Sequence, residues 1–124
     1  MITEDYVSFE VAKLLKDKGF NEPCIATYNL TTKNFEIEEV YQDWTTRWAA
    51  YMSAPTLQIA MKWLREVHNI AINIGWGEIF EDKFQWWCII LNQKDGSILR
   101  ESEYHATYEE ACEAAIKYCL ENLI

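Results

Sequence analysis

Glycine and proline are scarce, with 4 and 2 copies in 124 residues. Little is left for the glycine-rich turns that cradle phosphates, and no Walker loop, GxGxxG, HExxH or GxSxG pattern occurs. Basic residues are also few, 11 against 20 acidic, giving a formal charge of -9. Such a balance repels phosphate backbones at long range, so duplex nucleic acid and anionic membrane are poor partners. No uncharged run approaches the roughly 20 residues of a membrane span. The start, Met1-Ile2-Thr3-Glu4-Asp5, has neither a basic n-region nor an apolar h-region, and a cytoplasmic location is expected. Cys24, Cys88, Cys112 and Cys119 form no CxxC pair, and with His68 and His105 they show no zinc-knuckle spacing. The thiols are expected to be free and buried, with no metal and no cofactor.

Hydrophobic residues make up 50% of the chain and aromatic ones 15%, enough for one core, and residues 1–124 are read as a single domain. Ser8 as N-cap and Gly19 as stop bound a first helix striped by Val7, Val11, Leu14 and Leu15, with Phe20 set to close a Schellman ending on Leu15. Residues 24–30 and 35–38 read as a hairpin in which Phe35 and Ile37 face inward. A second helix is expected from near Ser53-Ala54-Pro55 to about Asn69, where the apolar period changes from that of a helix to that of a strand. Two turns, Glu81-Asp82-Lys83 and Lys94-Asp95-Gly96, then divide a three-stranded meander. Thr107 with Glu110 forms a capping box for the last helix. The fold class is α+β in two layers, an antiparallel sheet from two hairpin or meander units with three helices in the order α-β-β-α-β-β-β-α.

Three stretches, YVSFEVAKLLKDKGF (6–20), APTLQIAMKWLREVHNI (54–70) and YEEACEAAIKYCLENLI (108–124), resemble small proteins of gut bacteria and their phages or mobile elements that carry no assigned function. The resemblance implies a shared three-helix scaffold and a context in which small proteins act on a host or viral system, counter-defence included. It carries no catalytic motif and transfers no site.

The most unusual stretch is 41–52. On a helix, Tyr41, Trp44, Trp48 and Tyr51 would share a face with Arg47 one step away, and aromatics beside a guanidinium can stack a base or anchor a protein. The plainer reading of that face is core. Gly75-Trp76-Gly77 is the second candidate, because two glycines permit close approach of a ligand or simply a bend in a strand. Phe84, Trp86, Cys88 and Ile90 alternate with Trp87, Ile89 and Leu91, so both faces of the middle strand need cover and a homo-oligomer is expected. His68 and His105 lie in no nucleophile motif and read as surface or capping residues, so no catalytic residue and no enzyme are expected. The expected class is a binding protein acting by contact with a host protein. The alternative is an oligomeric sponge for a small nucleotide signal, using Trp44, Trp48 and Arg47 or the Trp76 region at a subunit junction; the candidate binding residues together are Tyr41, Trp44, Arg47, Trp48, Tyr51 and Trp76.

Overall fold

The computed structural model describes residues 1–47 and 49–124, the side chains of Thr46 and Arg47 excepted. Ser8 starts the first helix, α1 (Phe9–Asp17), by accepting the Val11 N–H at 3.2 Å. Gly19, at φ 88°, ends it: the Gly19 N–H reaches the Lys16 carbonyl and the Phe20 N–H reaches the Leu15 carbonyl at 2.9 Å, the Schellman pattern. Strands β1 (Cys24–Asn29) and β2 (Phe35–Gln42), the single turn α2 (Trp44–Arg47) and β3 (Tyr51–Ser53) follow. Then come α3 (Leu57–His68), β4 (Ile70–Phe80), β5 (Lys83–Asn92), β6 (Ile98–Glu101) and α4 (Tyr108–Asn122).

The class is α+β, but the two strand units stay apart as separate antiparallel sheets, β2-β1-β3 and β4-β5-β6. One continuous core is built from Val11 and Leu15 of α1, Met52 of β3, Met61 and Leu64 of α3, Ile72 and Ile90 of the second sheet, and Cys112, Ile116 and Leu120 of α4. Among the described residues, no helix is long and apolar enough to cross a membrane.

Local signals placed most boundaries. Thr107 accepts the Glu110 N–H at 3.1 Å, and Asn69 closes α3 in the left-handed region at φ 56°. The start of α3 is shifted from expectation. Thr56 caps it through the Ile59 N–H, while Ser53 ends β3 and the Pro55 carbonyl accepts the Val7 N–H at 3.0 Å. Strand pairing holds Ser53, which pairs with Thr27 of β1. The inward placement of Phe35 and Ile37 is corrected as well: they are 40% and 60% exposed. They lie on an edge strand, where Phe35 packs on the rings of Tyr6 and Tyr28.

Candidate contact surface

The 41–52 segment does not form one helical face. Tyr41 lies in β2 and is 69% exposed, Trp44 opens the single turn of α2, and Tyr51 is half-buried in β3 opposite Asn29. Reciprocal bonds fold the segment back on itself, from the Trp44 N–H to Ser53 Oγ and from the Ser53 N–H to Thr45 Oγ1, each at 3.0 Å. Pairing of 51–53 with β1 outweighs the helical spacing of the aromatics. Trp44 packs against the core and its indole N–H donates to the Cys24 carbonyl at 2.7 Å. Trp48 and the Arg47 side chain lie outside the described residues. Tyr41 borders a groove of about 370 Å³ that it shares with Tyr6, Pro23, Ile25, Gln58 and Ile59.

Gly75-Trp76-Gly77 has a clear explanation. The Trp87 indole of β5 lies flat on β4 at Gly75, where an added Cβ would sit 2.5 Å from the ring, and reaches over Gly77, where it would sit at 3.3 Å. The glycines therefore admit a neighbouring tryptophan. Trp76 points to the opposite face, 56% exposed, and stacks on Phe84 with centroids 5.0 Å apart and planes 20° apart. Trp86 lies beside it at 6.3 Å and meets Tyr108 edge-to-face at 5.3 Å. The Tyr108 hydroxyl accepts from Gln58 Nε2 at 2.7 Å, and Gln58 also borders the Tyr41 groove. A path of side-chain contacts thus joins the groove to the hairpin.

This aromatic ladder is exposed because the hairpin outruns its cover. Ten residues of strand span about 33 Å, while the fifteen of α4 span about 22 Å. Cys88 and Ile90 are sealed by helices; Trp76 and Phe84 are not. The sequence signal for the ladder was present in the alternation of Phe84 and Trp86 across a short turn from Trp76. What it did not show is that the helix layer stops short of them.

All four cysteines are buried and free. Burial pushes the Cys24 thiol up to about 12, helped by the charges of Asp43 and Glu22, and burial likewise raises Cys88. His68 closes the last turn of α3, half-buried, with its ring edge-to-face on Trp63 at 4.7 Å. His105 extends the second sheet, exchanging both backbone bonds with Trp86 at 2.8 and 2.7 Å. A smaller cavity of about 220 Å³ beside α4 has its cations engaged, Lys117 with Glu10 at 2.9 Å and Arg100 over the Tyr118 ring. Among the described residues, no three of His, Cys, Asp or Glu converge as a metal site.

No protein-family model, curated protein or solved structure matches this chain.

Proposed function

We propose that this chain is a non-enzymatic binding protein that acts by contact with a host protein through the Trp76–Phe84–Trp86 ladder, and that it works as a homo-oligomer. One observation carries the reading: two stacked rings stand 56% and 49% exposed on a regular hairpin. Rings held in place before binding lose little freedom on contact, which is why aromatic anchors dominate interface energetics. Glu78, Glu81 and Asp82 border the ladder and outnumber the adjacent Lys83, which favours a partner with a basic rim and disfavours nucleotide phosphates. An origin in phages or mobile elements, the expectation drawn from the three helical stretches, accords with a host protein as that partner. Self-association is supported by Trp87, Ile89 and Leu91, which alternate with the helix-covered Cys88 and Ile90.

Immobilised wild-type chain exposed to a bacterial host extract should retain a partner that the Trp76→Ala/Phe84→Ala variant loses, while the variant melts within a few degrees of wild type. Equal retention by both would sink the ladder as the contact site. A thermal shift produced by a cyclic or linear nucleotide would support the sponge instead.

A further inference from the structure

We infer that the free edge of β4 pairs with the β4 edge of a second copy about a two-fold axis, joining two three-stranded sheets into one of six strands. The inference rests on the self-association proposed above and assigns it to the outer edge of the sheet instead of the Trp87, Ile89 and Leu91 face.

Register identifies which groups are unpaired. Ile70 stands opposite Asn92, so Asn69 stands opposite Gln93, and the Asn69 carbonyl accepts the Gln93 N–H at 2.8 Å. Bonded pairs alternate along an antiparallel ladder. Ala71, Asn73 and Gly75 therefore bond to β5, while Ile72, Ile74 and Trp76 turn their N–H and C=O groups to the outside. The other side of β5 agrees: Cys88, opposite Ile74, and Trp86, opposite Trp76, spend their backbone groups on Ser102 and His105. Among the described residues, none of the outward groups of Ile72, Ile74 and Trp76 has a partner. Asn73 and Trp76 are exposed, so solvent reaches the edge from Asn73 onward.

Comparison of the sheet edges points to a second copy. β2 carries Glu36, Glu38 and Glu39 and a register break opposite Ile25; β3 has three residues; β6 has four, with Arg100 and Glu101 and a register shift. Each is short, charged or bent, the features that stop strands from pairing with other chains. β4 is eleven residues long, regular from Ile70 to Glu78, and uncharged from Ile70 to Gly77. A chain of charge -9 can approach itself along such a strand without opposing carboxylates. A two-fold axis makes the pairing antiparallel, consumes both β4 edges and leaves only the two charged β6 strands outside, so assembly stops at two. Whichever of Asn73, Ile74 and Gly75 lies on the axis, the Trp76 indole stands opposite an isoleucine of the second copy, a favourable cross-strand pair. The two aromatic ladders then lie on one face.

Light scattering of the full chain at micromolar concentration should give twice 14.7 kDa. The Ile72, Ile74 and Trp76 amides should exchange slowly, and faster on dilution. Ile74→Pro removes an N–H that does not bond to β5 and should give a folded monomer. Asn73→Lys, at an exposed position on the axis or within two residues of it, should weaken self-association by about tenfold through like charges and edge blocking. A monomeric wild type, a dimer whose Ile74 and Trp76 amides exchange as fast as loop amides, or an Asn73→Lys chain that associates like wild type would each overturn the proposal. If Ile74→Pro unfolds, amide exchange and Asn73→Lys still decide. Self-mass and retention of a different protein are separate readouts, so failure of the dimer is distinguishable from failure of the ladder.

Discussion

The Trp44 indole combines a ring packed on the core with a 2.7 Å hydrogen bond to the Cys24 carbonyl. Trp44→Ala removes both and should cost about 3 kcal/mol in urea denaturation, whereas Trp44→Phe keeps most of the ring and should cost about 1 kcal/mol. Trp76→Ala should cost less than Trp44→Ala, because Trp76 is 56% exposed. The ordering separates two tryptophans that composition treats alike. Gly75 gives a sharper test. An added Cβ meets the Trp87 ring at 2.5 Å, so Gly75→Ala should destabilise by about 2 kcal/mol, and Gly77→Ala, at 3.3 Å, by clearly less. Equal melting temperatures for the two variants would refute this account of the glycines. Neither residue was legible alone: the pair of glycines marked a close approach, but the approaching Trp87 lies twelve residues on from Gly75 and ten from Gly77 and becomes a neighbour only through strand register.

Elements with local instructions were legible to within a residue or two. Ser8, Gly19 and Thr107 act on neighbours three to five positions away, and α1 and α4 begin or end where they stand. Elements whose limits depend on distant pairing were not. The 41–52 stripe has helical spacing, yet Tyr51–Ser53 pairs with β1 and confines the helix to Trp44–Arg47. The packing of α4 on β5 carries a pH signature. Burial, with Cys88 nearby, pushes Cys119 up to about 12, and burial raises Cys112 to about 11, from an ordinary 9.0. The unfolded chain releases these protons near 9.0 while the folded chain holds them to about 11 or 12, so the unfolded state gains as pH climbs. Stability should be complete below pH 9.0 and fall from there toward about 12. Urea midpoints measured across that window should decline, and more shallowly in Cys119→Ala. At neutral pH, thiol reagents should label the native chain slowly and all four cysteines on unfolding.

At the scale of the whole molecule, α+β organisation follows from composition and period, whereas the separation into two sheets and the bare end of the second hairpin follow from how far each element reaches. Charge is what makes the two proposed contacts separable. Each copy carries -9, so two copies repel at long range, while a basic partner is attracted by the same field. Salt screens both effects, with a Debye length falling from about 14 Å near 0.05 M to about 4 Å near 0.5 M. The β4 edge contributes no charge between Ile70 and Gly77, so no attraction across it is lost on screening. Raising salt over that range should therefore tighten self-association and weaken capture of the basic partner, the latter chiefly through a slower on-rate. Sedimentation equilibrium gives the first slope and binding kinetics on immobilised chain the second. Self-association that loosens with salt would require ion pairs across the two-fold, and the contact would then have to lie on a charged surface instead of β4.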